Sequence, residues 1–150
     1  MEKFKSFMEI ALTEAKNAAR RDEVPVGAVI VNKNGIIVAR AGNSTRELKD
    51  PTAHAEILTI RKACQKLESE RLMEHYIYVT LQPCPMCLQA IVNARISRLY
   101  YGARDMSQIF SESYKQMTDR SEIGFPLEIY PNIGGEESRN LIKNFFKEKR

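Results

Sequence analysis

Hydrophobic residues in the first twenty positions recur every three or four residues, which predicts an amphipathic helix. Its apolar face consists of Phe4, Phe7, Met8, Ala11, Leu12, Ala15 and Ala18. Because Glu and Lys occupy much of the rest of MEKFKSFMEIALTEAK, we expect this segment to cover a core and not to act as a signal peptide.

Two runs rich in β-branched residues follow, VPVGAVIVN and GIIVARAGN, and the turn KNG joins them. Asn34 and Gly35 both tolerate the positive φ of a tight turn, so this region predicts an antiparallel hairpin. After the loop NSTRELKDPT, Pro51 and Thr52 are typical of a helix start. The inward face predicted for that helix contains Ile57, Ile60, Cys64 and Leu67.

The second half of the chain alternates between helix and strand. YIYVTL predicts a strand, CPMCLQAIVNARI a helix whose first turn suits Pro85, and RLYYGA another strand. PLEIY predicts a short strand before a last helix, with Leu141, Ile142, Phe145 and Phe146 facing inward. We therefore expect one domain over residues 1–150, a three-layer α/β/α fold around a mixed sheet of about five strands.

Composition restricts the cellular compartment and the partners that we expect for this domain. No apolar run approaches the roughly 20 residues that span a bilayer, so we expect no membrane contact. An odd number of cysteines, three, argues against a framework of disulfide bonds. Free thiols are kept in a reducing compartment, so we predict a cytoplasmic protein. The net charge is +4, and the C-terminal NFFKEKR either meets a phosphate backbone or complements its own helix dipole.

The Cys-x-x-Cys pair Cys84 and Cys87 is compatible with redox chemistry, structural zinc or catalysis. At the first turn of a helix, free backbone N–H groups and the helix dipole lower thiol pKa values and favour metal binding. Catalytic zinc takes three protein ligands and leaves the fourth position to water. Of the two histidines, His75 stands beside a strand without ligand spacing, so His54 is the third candidate ligand.

Glu56 stands two residues after His54, close enough to approach a metal-bound water without binding the metal. His-x-Glu followed by Pro-Cys-x-x-Cys is the signature of zinc nucleobase deaminases. In such a site Glu56 takes a proton from zinc-activated water as an amino-bearing ring carbon is attacked, and then protonates the ring nitrogen and the departing ammonia. Cys64, among apolar neighbours on a helix, is predicted to be a packed core residue.

With both motifs present, the chain resembles the cytidine deaminase superfamily, and most closely the bacterial tRNA-specific adenosine deaminases. The resemblance rests on EVPVGAVIV, DPTAHAEI, IYVTL, PCPMC, ARI and the terminal FFKEKR. It implies a cytidine deaminase-like fold, a homodimer, and conversion of the wobble adenosine of a tRNA anticodon loop to inosine, with no DNA substrate.

The resemblance also implies roles for single residues. His54, Cys84 and Cys87 would bind zinc, and Glu56 would shuttle protons. The substrate contacts that it implies are Asn43 for the flipped-out nucleoside, Glu23 at the pocket rim and Asp105 near the neighbouring nucleotide. Asn43 also fits a turn after Gly42 without any role in binding.

This chain departs from the family pattern at two places. Gln82 stands where the family usually has Glu before the cysteine motif, and we expect only a local change in hydrogen bonding. Residues 106–124 replace a loop rich in Lys, Gly, Ala and Ser that helps to shape the nucleic-acid side of the site.

Two other functions remain open at this point. A free-base deaminase acting on guanine or cytosine shares blocks such as HAEILTIRKAC and PCPMCL, although EVPVG and the basic tail favour RNA. Unpaired anticodon bases also cost less to extrude than paired ones. A noncatalytic zinc-stabilised binding module would need a fourth protein ligand, and no further Cys or His has suitable spacing.

Overall fold

The structure is a computed structural model that describes residues 2–105 and 126–149, with side chains from residue 7 onward. These ranges contain the helices α1 (Glu2–Arg20), α2 (Ala55–Leu67), α3 (Pro85–Asn93) and α4 (Gly135–Glu148). They also contain the strands β1 (Gly27–Asn32), β2 (Ile37–Gly42), β3 (His75–Leu81), β4 (Arg98–Ala103) and β5 (Glu128–Tyr130). No helix in these ranges combines the length and apolar character needed to cross a membrane.

The five described strands form one mixed sheet in the order β2-β1-β3-β4-β5. Strand β1 is antiparallel to both β2 and β3, whereas β3, β4 and β5 run parallel. The predicted hairpin and mixed sheet are confirmed. The two strands that precede α2 and α3 do not neighbour each other, however, because β1 pairs with both and lies between them.

Side chains alternate between the two faces of this sheet, as the period of a strand requires. In β1, Ala28 and Ile30 pack with α2 and α3, whereas Val29 and Val31 pack with α1. The same alternation in β3 and β4 places Tyr78 and Tyr100 on the α1 face, where Leu141 of α4 joins them. The predicted three layers are therefore confirmed.

Helix α1 buries the apolar face that its periodicity predicts, from Phe7 to Ala18. Phe4 lies outside the described side chains. The helix packs closely on β1, since a Cβ at Gly27 would overlap the carbonyl oxygen of Ala11. In the hairpin turn, Asn32 Oδ1 accepts the N–H groups of Asn34 and Ile36, both at 3.0 Å. Of the two predicted turn residues, Gly35 takes the positive φ (80°) and Asn34 does not.

The inward face predicted for α2 is only partly correct. Its buried residues are Ala55, Glu56, Thr59 and Ala63. Ile57, Ile60 and Cys64 are only partly buried, and Leu67 is 40% exposed. Small side chains let α2 approach the sheet closely, and this displaces the larger apolar residues to its flanks. Ile60 and Cys64 still pack against the core from there.

The last helix also differs from its prediction. Gly135 and Ser138 are the buried residues of α4, Leu141 is partly buried, and Phe146 is 49% exposed. The helix meets β4 where Gly102 faces Ser138, and a Cβ at Gly102 would lie 2.5 Å from the Ser138 Oγ. Close contact is therefore made at the start of α4, and its aromatic end stays accessible. Residues 106–124 lie outside the described ranges.

Candidate metal and catalytic site

The site begins where α2 and α3 begin, at the same end of the sheet. His54 is the N-cap of α2 and Cys84 the N-cap of α3, both with extended backbone (ψ 155° and 169°). Neither side chain caps its own helix, so both are free to point elsewhere. The predicted start at Pro51 and Thr52 is a turn instead, in which Thr52 donates its N–H and hydroxyl to the Asp50 carboxylate.

The two helix starts bring the three predicted ligands together. His54 Nδ1 lies 3.7 Å from Cys84 Sγ and 3.5 Å from Cys87 Sγ. All three ligand atoms lie within 4.8 Å of one another. With zinc–nitrogen and zinc–sulfur bonds of ordinary length, a tetrahedral site separates such atoms by about 3.6 Å. One imidazole and two thiols at these distances fit zinc.

The three predicted ligands have shifted pKa values, and a divalent cation that binds them would displace their protons. Hydrogen bonds from Cys87 and from His54 lower the pKa of Cys84 to about 4. The hydrogen bond to Cys84, together with burial, raises the pKa of Cys87 far above its usual range, and the bond to Cys84 also raises the pKa of His54. Metal binding releases such protons because the ligands must be deprotonated.

Glu56 lies in the first turn of α2 and is 3% exposed. Burial raises the pKa of its carboxyl group to about 7. Within the described part of the chain, its Oε1 is the buried side-chain polar atom that has no hydrogen-bond partner. Buried polar atoms are nearly always paired, so an unpaired carboxylate oxygen beside three metal ligands indicates a position for water or substrate.

Glu56 and two of the three ligands, His54 and Cys84, line a cavity of about 240 Å³. This volume lies below the roughly 300–1,000 Å³ of pockets for drug-sized ligands, and it suits a single base. Several separate segments form the rest of the wall, which consists of Val24, Val26, Asn43, Thr45, Leu81, Gln82 and Asp105.

Two of the three predicted substrate contacts line this cavity. Asn43 is 7% exposed, and its N–H donates to the Val26 carbonyl at 3.0 Å. Asp105 donates its N–H to Gln82 Oε1 at 3.2 Å, so the residue that departs from the family pattern holds the end of β4 in place. Glu23 is not one of the lining residues and is buried (1% exposed).

Sequence reasoning missed Thr45 and the apolar part of the wall. Thr45 could have been found from its place two residues after Asn43. Val24, Val26 and Leu81 carry no chemical signal, because apolar residues beside strands usually belong to a core.

Comparison with known proteins agrees with this geometry. Residues 1–103 match the family described as the cytidine and deoxycytidylate deaminase zinc-binding region. The chain belongs to this family. The fold and donor set of this deaminase are therefore those of a zinc-binding deaminase domain, and zinc is its cofactor.

Particular relatives of the deaminase are similar over nearly its whole length. The tRNA-specific adenosine deaminase of Agrobacterium fabrum is 49% identical over 144 residues, which cover 96% of this chain and 94% of that protein. A solved tRNA:A34 deaminase structure is 48% identical, with a TM-score of 0.82 and coverage of 91% and 98%. The structure of a guanine deaminase from Bacillus subtilis is 37% identical, with a TM-score of 0.63 and coverage of 81% and 69%.

Beside its cavity the deaminase has a larger open groove of about 580 Å³. The groove shares Val24, Leu81 and Asp105 with the cavity, so the two are continuous. Its other lining residues are Ala103, Arg104, Arg139, Ile142, Lys143 and Phe146. Two of the four α4 residues predicted to face inward, Ile142 and Phe146, therefore line a basic and partly aromatic surface next to the site.

Proposed function

We propose that this chain, as a single deaminase domain over residues 1–150, converts adenosine to inosine at the wobble position of a tRNA anticodon loop. The observation that carries the proposal is the unpaired, buried carboxylate oxygen of Glu56 in a base-sized cavity beside a His–Cys–Cys ligand set. The tRNA-specific relatives, similar over almost the full chain, support the choice of substrate.

In this proposal His54, Cys84 and Cys87 hold the zinc ion. Bound zinc supplies Lewis acidity that makes water a competent nucleophile at neutral pH. The helix starts of α2 and α3 present backbone N–H groups toward the ligands. They stabilise the thiolate form of Cys84, which already accepts the N–H of Cys87.

Glu56 moves the protons. Its carboxylate takes one proton from the attacking water and delivers it to the ring nitrogen next to the amino-bearing carbon. It then carries the second proton to the departing amine, so that adenosine and water yield inosine and ammonia. A group that alternately accepts and donates protons works best with a pKa near the working pH, and burial raises the pKa of Glu56 to about 7.

The groove supports an RNA substrate over a free base. Arg104, Arg139 and Lys143 suit the phosphates of a single strand, and the exposed ring of Phe146 offers a face for a base to stack on. A free base that fills only the cavity would not contact these groove residues.

A free-base deaminase acting on guanine is the second candidate. The 37% identity to the guanine deaminase structure favours it, but that structure has a lower TM-score and lower coverage than the tRNA:A34 deaminase structure. A noncatalytic zinc module is less well supported. It needs a fourth ligand, and the cluster found within the described ranges has three.

The test is inosine formation by the zinc-loaded full chain on an anticodon stem-loop with a wobble adenosine. A stem-loop with its adenosine one position away is the matched control. Ammonia release from guanine, cytosine and adenine is measured in parallel. We expect inosine only at the wobble position and no ammonia from free bases. If the protein releases ammonia from guanine and leaves the stem-loop unreacted, its substrate is a free base, and the chemistry proposed for the site is retained.

The homodimer implied by the family resemblance belongs to this proposal, and the similar tRNA:A34 deaminase structure is compatible with it. Light scattering of the zinc-loaded chain should give twice the mass of 17.2 kDa. The cytoplasmic location stays a prediction, which cell fractionation would test.

A further inference from the structure

Glu23 is a buried carboxylate that the proposed deamination chemistry does not use. It is 1% exposed and lies in the connection between α1 and β1. Its Oε1 accepts the N–H of Arg46 at 3.1 Å, and its Oε2 accepts the N–H of Glu47 at 2.8 Å. The nearby cations make ion pairs elsewhere, Arg46 with Asp22 and Arg21 with Glu47.

The two amides belong to a turn in residues 44–50. Leu48 donates its N–H to the Ser44 carbonyl and Asp50 donates its N–H to the Thr45 carbonyl, both at 3.0 Å. The first N–H groups of such a turn have no partner within it. Glu23 supplies both acceptors from a distant part of the chain, as an N-cap side chain would do locally.

This turn carries the polar part of the substrate wall. Asn43 directly precedes it and Thr45 is its second residue, and both line the cavity. Arg21 also reaches this segment, since its Nη2 donates to the Asn43 carbonyl at 3.3 Å. The segment after α1 therefore fixes the backbone on which Asn43 and Thr45 stand.

We propose that Glu23 is a positioning residue, which sets Asn43 and Thr45 against the base by holding the turn at residues 44–50 and does not touch the substrate. This inference rests on the proposed function for the identity of the base. The family resemblance predicts Glu23 at the pocket rim; in the structure Glu23 is not a lining residue and accepts the N–H groups of Arg46 and Glu47.

The first experiment measures kcat and KM on the stem-loop for Glu23→Gln, Glu23→Ala, Asn43→Ala and the double variant Glu23→Ala/Asn43→Ala. We expect Glu23→Ala to lower kcat/KM by about tenfold or more at unchanged zinc content, because a small misplacement of a binding group is costly. Once Asn43 is removed, Glu23→Ala should add a clearly smaller loss than it causes alone, since Glu23 acts partly through Asn43. Independent, multiplying effects, or a Glu23→Ala variant within about twofold of the parent, would overturn the proposal.

Asp22→Asn is the matched control. Asp22 is the neighbouring carboxylate and is exposed. It contacts the side chain of Arg46, whereas Glu23 accepts the backbone N–H of Arg46. Surface ion pairs contribute little, so we expect kcat/KM to stay within about twofold.

A second readout does not depend on the substrate. Hydrogen exchange at the Arg46 and Glu47 amides should accelerate in Glu23→Gln, because an amide group offers one acceptor where two are needed, and should not change in Asp22→Asn. Glu23→Gln also keeps the measurement possible if Glu23→Ala fails to fold. Unchanged exchange overturns the role of Glu23, whereas an unreacted stem-loop with the parent protein overturns the proposed function instead.

Discussion

The two sides of the cavity are built in different ways. On the metal side, His54 and Glu56 come from one helix start and Cys84 and Cys87 from another. On the substrate side, the wall comes from four separate places in the chain, near residues 24–26, 43–45, 81–82 and 105. The chemistry therefore depends on two short motifs, and the recognition depends on how the whole fold assembles.

This difference predicts how each side responds to change. The metal side has a fixed set of donors, and losing one removes a function outright. The substrate side shares its work among several contacts, so single changes there should give graded losses at unchanged zinc content.

The largest effect is expected from Glu56→Ala. The variant should fold and bind zinc but lose about 10²–10⁴-fold in kcat, the usual contribution of general acid–base catalysis. Inosine formation, zinc content and thermal unfolding measure the three properties. Glu68→Ala, an exposed glutamate at the end of α2, is the control and should keep full activity. Turnover by a zinc-loaded, folded Glu56→Ala protein would sink the proposed mechanism.

His54→Ala tests the other function of the metal side. Because even indirect changes around metal ligands cost about 10–100-fold in affinity, we expect zinc binding to weaken by more than about 100-fold. Competition with a chelator measures this affinity. His75→Ala is the matched control, since His75 starts β3 and its Nδ1 lies 2.8 Å from the Met73 carbonyl oxygen. Normal zinc affinity in His54→Ala would remove this residue from the ligand set.

A smaller effect is expected from the groove. Arg139→Gln with Lys143→Gln should raise KM for the stem-loop several-fold at unchanged kcat. The log–log slope of binding against salt should weaken by roughly 0.7 for each phosphate that is no longer neutralised. Lys16→Gln with Lys33→Gln removes the same charge from exposed ion pairs to Glu137 and Glu74 and should change neither quantity. Equal changes in both double variants would mean that only net charge matters.

Gln82→Glu should give the smallest effect. Gln82→Glu keeps the acceptor for the Asp105 N–H, so we expect kcat/KM to stay within roughly fivefold of the parent. Gln82→Ala leaves that N–H without its acceptor and should cost about tenfold. The comparison of kcat/KM for the two variants at full zinc loading decides the point. A greater loss with Glu than with Ala would show that charge, and not the hydrogen bond, governs this position.

The parts of the fold that can be predicted from sequence are those governed by local rules. The apolar period of α1, the β-branched runs and turn of the β1–β2 hairpin and the strand RLYYGA all need only neighbours along the chain, and the structure confirms them. The predicted inward faces of α2 and α4 are only partly correct, because hydrophobicity does not report how closely a helix approaches the sheet. Ala55 and Ala63 are buried there because they are small, while Phe146 faces the groove.

The sequence by itself determined the metal side of the site. His54, Glu56, Cys84 and Cys87 stand in two motifs whose spacing already predicts a zinc ligand set and, in Glu56, a proton carrier. Only the tertiary structure decided the substrate side. Insertion of β1 between β2 and β3, the turn held by Glu23 and the accessible face of α4 bring together segments far apart in the chain. Such contacts leave no periodic or compositional pattern, because their energies arise only when the segments meet.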